Sequence, residues 1–247
     1  MHLIMSLFSG AGGFDWGFHM SLRFKTVVSN EILRAPCETF ARNFGMRLVK
    51  ASALSTKYPE KIVINDDISN VSFELIKNTY PKIDVVIGGP PCQDFSIVKG
   101  NSREGINVRR GKLYMHFVRA LASIQPKLFI FENVPGLISS NNGQAYRQII
   151  DDFSNLNVRW KEIQETLWHS NGIVNAEIGY EILFSGVVNT SFIGVPQARR
   201  RLIMIGIRKD LSQKIGSEGI YFFKKELINE LSGNNYLFKK YPLSCIE

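Results

Sequence analysis

Short apolar runs recur along this chain of 247 residues, at 3–8, 26–28, 62–64, 83–87 and 128–131, with two more at 180–188 and 202–207. Each is closed by a polar or glycine-rich break and followed by a stretch compatible with a helix. Runs that are mostly apolar, and do not alternate regularly with polar residues, predict strands covered on both faces. That is the habit of a parallel sheet. Helical patterns at 35–43, 73–79, 113–123 and 145–153 fall between the strands, so the expected class is α/β, a doubly wound and mostly parallel sheet. With 45% hydrophobic residues the chain can bury a substantial core and is long enough for one main domain. The region 210–247 mixes lysine and glutamate with aromatic clusters, and its pattern assigns no element.

Ligands of open parallel sheets lie at the carboxyl ends of the strands, so the residues that follow each run carry the functional argument. After the first run comes Ser9-Gly10-Ala11-Gly12-Gly13, after the second Asn30-Glu31, after the third Asp66-Asp67, after the fourth Pro90-Pro91-Cys92 and after the fifth Glu132-Asn133. Five successive strands thus deliver glycine, carboxylate or thiol to one edge. A glycine turn between a strand and a helix lets backbone N–H groups approach a ligand. Glu31 lies 31 − 13 = 18 residues beyond Gly13, close to the ~20 at which an acidic residue meets ribose hydroxyls. An adenosine-containing ligand is expected there, with Asp67 accepting from the adenine amino group and Phe8 and Ile68 as apolar walls. The alternative role for Asp66 or Asp67 is a helix N-cap.

Cys92 follows Gly88-Gly89-Pro90-Pro91, whose glycines and prolines fix the chain direction at the end of a strand. Such a turn presents a thiol and does not pack it away. Cys37 and Cys245 sit in a helical stretch and in the tail and are read as structural. No CxxC occurs and His2, His19, His116 and His169 show no ligand spacing, so no metal site is expected. Lysine plus arginine outnumber aspartate plus glutamate by 30 to 22, which suits a polyanionic partner. No apolar stretch approaches the ~18 residues of a membrane span, and a reducing cytoplasm is the expected setting. A Walker lysine is absent, which disfavours phosphoryl transfer. Hydride transfer would use the glycine turn but not a cysteine on a Pro-Pro turn.

Taken in order, Phe8-Ser9-Gly10-Ala11-Gly12-Gly13, Glu31, Asp67-Ile68, Pro90-Pro91-Cys92-Gln93, Arg110-Gly111-Lys112-Leu113, Phe131-Glu132-Asn133-Val134 and Gln197-Ala198-Arg199-Arg200-Arg201 resemble the DNA (cytosine-5) methyltransferases. The resemblance implies a Rossmann-like S-adenosylmethionine-dependent domain over 1–207, with the cofactor bound by Phe8, Gly10, Ala11, Gly12, Gly13, Glu31, Asp67, Ile68 and Pro90. It implies Cys92 as nucleophile, Glu132 as its partner acid, and Arg199 and Arg201 holding the base. Contacts to substrate and DNA are assigned to Pro91, Gln93, Ser96, Arg109, Arg110 and Asn133. Glu132 is expected to hold a proton, through partial burial and a nearby carboxylate. The stretch 97–112 carries five cations against one acid, a net of +4, and three glycines, as suits a segment that closes on phosphates.

Two departures stand out. Ser6 occupies a position where many relatives carry an acid, and nothing after Ile207 matches the target-recognition region or the last motifs of the family. Residues 208–247 are therefore expected to lead toward that region. A split enzyme, with duplex DNA and a second polypeptide as partners, is expected over a shortened piece or a decayed gene product. The resemblance also points to a restriction-modification system. An RNA (tRNA) cytosine-5 methyltransferase and a catalytically silent DNA-binding subunit are the alternatives.

Overall fold

A computed structural model describes residues 1–55, 60–91, 113–156 and 178–233. Strands β1 (His2–Leu7), β2 (Phe24–Glu31), β3 (Arg47–Val49), β4 (Ile62–Asn65), β5 (Ile83–Gly88), β6 (Leu128–Asn133), β7 (Tyr180–Asn189) and β8 (Arg200–Arg208) form one sheet in the order β3-β4-β2-β1-β5-β6-β8-β7. The first six run parallel, and β8 is antiparallel to both β6 and β7. Helices α1 (Gly13–Met20), α2 (Arg34–Phe44), α3 (Phe73–Thr79), α4 (Leu113–Ile124), α5 (Gln144–Ser154) and α6 (Lys209–Leu231) accompany it. The expected class, a doubly wound and mostly parallel sheet, is what the chain forms.

The mostly apolar runs are explained by what each residue faces. On β1, Met5 and Leu7 enter the main core with Ile76 of α3, Phe117 of α4 and Phe153 of α5, while Ile4 joins the smaller cluster with Phe18 of α1. On β6, Phe129 and Phe131 face the main core, and Leu128 and Ile130 face the other side. Both faces are buried, so both alternating positions must be apolar. Gly206 of β8 leaves room for the Phe129 ring, which a Cβ there would meet at 2.2 Å.

Two elements escaped the sequence pattern. Strand β3 is three residues long at the sheet edge, too short to show a period. Helix α6 is interrupted at Gly216 (φ 79°) and exposes Tyr221, Phe222 and Phe223, so no single apolar stripe marks it. It packs on the outer strands through Ile220, which meets Leu183 and Ile207, and Lys224 pairs with Glu181 at 2.7 Å.

β1 lies between β2 on one side and β5 on the other, and the connection from β4 crosses over it to reach β5. The winding therefore reverses between β1 and β5. A crevice opens at the carboxyl ends of strands at such a reversal, and it is there that the glycine turn and the Pro90 turn emerge.

One buried group sits directly under this crevice. Asp15, in the first turn of α1, is fully buried and accepts hydrogen bonds from Ser6 Oγ at 2.8 Å and Thr26 Oγ1 at 2.7 Å. It ties helix, β1 and β2 together, and burial pushes its carboxyl up from 3.8 to about 6. The raised value means the folded state prefers the protonated acid. Stability from this group is complete below about pH 4 and is lost as pH rises to about 6, by about 3 kcal/mol in all at about 1.36 kcal/mol per pH unit. Urea unfolding of Asp15→Asn at pH 4.5 and pH 7 should show a difference between the two pH values altered, relative to the parent, by about 2 kcal/mol, in the direction of relatively greater stability at pH 7. An unchanged difference would remove Asp15 as the source.

Candidate active site

The crevice is built from backbone turns first. Phe8 takes a left-handed conformation (φ 53°) at the end of β1, at a cost of about 1–2 kcal/mol for a residue with a side chain. Gly10 (φ 53°) and Gly12 (φ 91°) continue the turn. At Gly12 a Cβ would also lie 2.6 Å from the Phe44 ring and 2.8 Å from the Phe40 ring of α2, so close packing as well as φ demands glycine. At Gly10 and Gly13 a Cβ would meet nothing; those positions face open space. Ala11 lies between them, exposed in the row of turn residues.

Glu31, at the end of β2, reaches back to this turn. The Gly10 N–H donates to Glu31 Oε2 at 3.0 Å and the Leu33 N–H to Oε1 at 2.9 Å. The two features that the spacing paired in sequence are thus in contact. Behind them, Asn30 Nδ2 donates to the Ile64 and Asp66 carbonyls at 3.1 and 3.0 Å, which fixes the end of β2 against the end of β4.

Asp66 and Asp67 divide their roles. Asp66 accepts from the Ala51 N–H and from Asn70 Nδ2 at 3.2 and 2.9 Å. Partial burial works to raise its carboxyl, but Asn70 and the backbone donors outweigh this and hold it below the usual carboxylate range. Asp67 is exposed and caps a short turn, with Oδ1 accepting from Ser69 N and Ser69 Oγ at 2.9 and 2.8 Å. Ile68 is buried in the main core and offers less wall to a ligand than expected, whereas Phe8 is partly exposed.

At the end of β5, Pro90 is buried and Pro91 exposed. Asn133 at the end of β6 is 2% exposed. Its Nδ2 donates to the Pro90 carbonyl at 3.0 Å and its Oδ1 accepts from the Val134 N–H at 2.9 Å. Asn133 therefore braces the proline turn from behind; its amide does not face outward.

Glu132 lies beside that turn. Its Oε1 receives Arg201 Nε at 2.7 Å, both side chains being about a quarter exposed (28% and 26%). Its Oε2 lies where a Cβ on Gly89 would sit, 2.6 Å from it. Gly89 is thus the residue that lets the carboxylate rest over the strand end. The charged neighbour of Glu132 is a guanidinium, where the sequence reading looked for a carboxylate.

Arg201 reaches this point because β8 is antiparallel to β6, with Leu202 opposite Asn133 and Ile203 opposite Glu132. Arg199 and Arg200 are exposed. Thr190 closes the preceding loop, its Oγ1 donating to the Gln197 carbonyl at 2.5 Å and its N–H to the Arg199 carbonyl at 3.0 Å. Of the expected arginine pair, the structure brings Arg201 to Glu132 and leaves the Arg199 side chain at the surface.

Cys92, Gln93, Ser96, Arg109 and Arg110, with the whole of 97–112, lie outside the described residues. Pro91, the last described residue before Cys92, stands at the Glu132 end of the crevice. The arrangement can hold an adenosyl group across the Gly10–Glu31–Asp67 arc and a planar ring between the proline turn and the Glu132–Arg201 pair. Among the described residues there is no cluster of His, Cys, Asp and Glu able to hold a metal, and no helix is long and apolar enough to cross a membrane. Sequence reasoning missed Asp15 and Arg119, charged residues set in otherwise apolar helical faces.

Comparison with known proteins adds a second line. The family model described as C-5 cytosine-specific DNA methylase matches residues 3–243. The DNA (cytosine-5-)-methyltransferase M.ApeKI of Aeropyrum pernix is 49% identical over 246 residues, which cover 98% of this chain and 52% of that protein. Type II methyltransferase M.AquIA of Picosynechococcus is 32% identical over 209 residues, 83% of this chain and 71% of its own length. A solved structure of a prophage-encoded Escherichia coli protein, described as a candidate DNA modification methyltransferase, superposes with a TM-score of 0.56 at 27% identity, over 87% of this chain and 50% of that one. The chain spans about half the length of M.ApeKI and of the prophage protein.

Proposed function

Because the chain belongs to the C-5 cytosine-specific DNA methylase family, we propose that it is the catalytic part of an enzyme that methylates carbon 5 of cytosine in duplex DNA, within a type II restriction-modification system. The observation that carries the reading is the placement of Glu132 over Gly89, paired with Arg201, beside the proline turn that leads into Cys92.

The residues present fit S-adenosylmethionine. Positions Gly10 and Gly13 open onto space that a Cβ would fill, Glu31 stands at the Gly10 N–H, and Asp67 is exposed at the next strand end. Phe8, Gly10, Ala11, Gly13, Glu31 and Asp67 would line it, Glu31 at the ribose and Asp67 at the adenine amino group, with the buried Gly12, Ile68 and Pro90 backing them. When bound, the cofactor supplies a methyl group as an electrophilic sulfonium substituent.

Carbon 5 of cytosine is too electron-poor to take that methyl unaided. The Cys92 thiolate forms a bond to carbon 6, the ring electrons move toward nitrogen 3, and carbon 5 becomes nucleophilic. Glu132 donates a proton at nitrogen 3, with Arg201 holding its Oε1 and leaving Oε2 on the Gly89 side for the ring. Once carbon 5 carries its methyl, Glu132 takes back the nitrogen 3 proton, a solvent base takes the proton of carbon 5, and the electron pair of that C–H bond restores the ring and expels the Cys92 thiolate. A base within a duplex is out of reach of such a site, so the target is flipped out, with Pro91, Gln93, Ser96, Arg109, Arg110 and Arg199 meeting ring and phosphates.

Residues 1–207 form the catalytic unit in this reading, and 208–247 lead toward the recognition region. A second polypeptide supplying recognition is supported by exposed apolar side chains: Phe14 and Trp16 in the first turn of α1, and Ile32 and Leu33 after β2.

Transfer of labelled methyl to duplex DNA and to RNA of the same sequence, with and without the protein encoded beside it, tests the proposal. Label is expected in DNA alone, and at a higher rate with the companion present. Label in RNA alone would overturn the DNA assignment, and full activity of the chain by itself would overturn the second polypeptide.

A further inference from the structure

Helix α4 carries an arginine where packing alone asks for a hydrocarbon. Arg119 is 6% exposed among Phe117, Val118, Ala120 and Leu121, all of them core residues. Its Nη2 donates to the Ile68 carbonyl at 2.6 Å, 51 residues away in sequence, and its guanidinium lies 4.4 Å from the centre of the Phe73 ring. Among the described residues its Nε has no hydrogen-bond partner, and neither has Nδ1 of His116, one helical turn earlier on the same face. Burial pushes the guanidinium down to about 10 and the imidazole, with Arg119 beside it, down to about 3. At neutral pH a cation therefore sits next to a neutral histidine. A buried charge with an unpaired donor costs stability that a leucine or methionine would not, so this residue is poorly explained as packing.

What it holds is the Asp67 turn. From Asp67 to Val71 the chain makes one short helical turn, closed locally by Asn70 N to Asp67 O at 3.0 Å and Val71 N to Ile68 O at 3.2 Å. Three-residue turns of this type are weak on their own. Ile68 and Val71 anchor it in the core, which sets its depth. Arg119 grips the carbonyl of Ile68, which sets its direction, and the negative charge of Asp67 favours the cation there.

We propose that Arg119 is a positioning residue for cofactor binding: from behind the turn it aims the Asp67 carboxylate at the site of the adenine amino group. The inference rests on the cofactor reading above and adds to it a residue that never touches the ligand. Phe73 stacks on the guanidinium, and His116 fills the space beside it without adding charge.

The test compares the parent with Arg119→Met and Arg119→Lys by amide hydrogen exchange without ligand and by calorimetric titration with S-adenosylhomocysteine. Loss of a charge-assisted hydrogen bond predicts exchange at Ser69 and Asn70 faster by about ten-fold, and binding weaker by about ten-fold, in Arg119→Met. Exchange in β6 should stay as in the parent. Arg119→Lys, which keeps the charge and one donor, should fall between the two. In an Asp67→Ala background, Arg119→Met should change binding by less than about two-fold, because coupled residues are not additive. Parent-like exchange at Ser69 and Asn70 in both variants would overturn the proposal, as would an undiminished effect on binding in the Asp67→Ala background. If the parent takes no S-adenosylhomocysteine at all, the cofactor reading fails and this role of Arg119 fails with it.

Discussion

Cys92→Ala is expected to lower methyl transfer by a factor on the order of 10^4 or more, with no change in the thermal midpoint beyond about a degree or two. Without a thiolate, nothing adds to carbon 6, carbon 5 stays electron-poor, and the remaining groups can only position two reactants that do not react. Cys92→Ser should fare no better, because a hydroxyl is a far weaker acid than a thiol and presents almost no oxyanion near neutral pH. Single-turnover transfer to duplex DNA, in the presence of any companion polypeptide, measures the loss. A serine variant within ten-fold of the parent would be incompatible with covalent attack.

The second large effect is expected at a residue with no reactive group. Gly89→Ala would place a methyl carbon 2.6 Å from Glu132 Oε2, nearer than carbon and oxygen approach without a bond. The carboxylate must swing away, and the 2.7 Å contact to Arg201 must lengthen or break. Misplacing a proton donor by about 1 Å costs on the order of 10^2 in rate, and loss of acid catalysis on the order of 10^2–10^4. A drop of about 10^2–10^3 is therefore expected. Stability should change by no more than about 1 kcal/mol, since a partly exposed contact of this kind contributes little. Gly88 supplies the control one residue earlier. A Cβ there would lie 2.7 Å from the Leu7 carbonyl and 3.2 Å from the Phe117 ring, a clash with backbone and core, so Gly88→Ala should destabilise the fold instead. Equal activity in Gly89→Ala and the parent would mean that Glu132 takes no part at the position described.

The sequence disclosed those parts of the molecule in which one local cause acts. The strands β1, β2, β4, β5 and β6 are covered on both faces in their middle parts, so each carries a short, mostly apolar run that could be read locally. The Gly10 turn and Glu31 could be paired from spacing alone because a strand, a turn and a helix have nearly fixed lengths, and Gly10 N–H to Glu31 Oε2 is the contact that results. Where two distant causes act together, sequence said less. Asn133 reads as a polar residue at a strand end, and only the sheet shows that it braces Pro90. Arg199 and Arg201 alternate in sequence as expected of a strand, yet β8 begins at Arg200, so Arg199 belongs to the loop that Thr190 closes. The expected carboxylate near Glu132 is replaced by Arg201, which the antiparallel pairing of β8 with β6 brings alongside it, a neighbour that no local pattern announces. Asp15 and Arg119 carry a faint sequence mark, a charge inside an apolar helical face, and their partners Ser6, Thr26 and Ile68 lie on elements the pattern alone does not connect to them.

The most direct measurement uses duplex DNA in which the target cytosine carries fluorine at carbon 5, incubated with the chain, any companion polypeptide and S-adenosylmethionine. Fluorine cannot leave as a cation, so the step that frees the enzyme is blocked and the protein stays attached to the DNA. Denaturing electrophoresis and peptide mass mapping should find a methylated nucleotide joined to the peptide containing Cys92, and no adduct in Cys92→Ala. Methylation of ordinary cytosine by this assembly, with no adduct on the fluorinated duplex or with an adduct at another residue, would contradict the account.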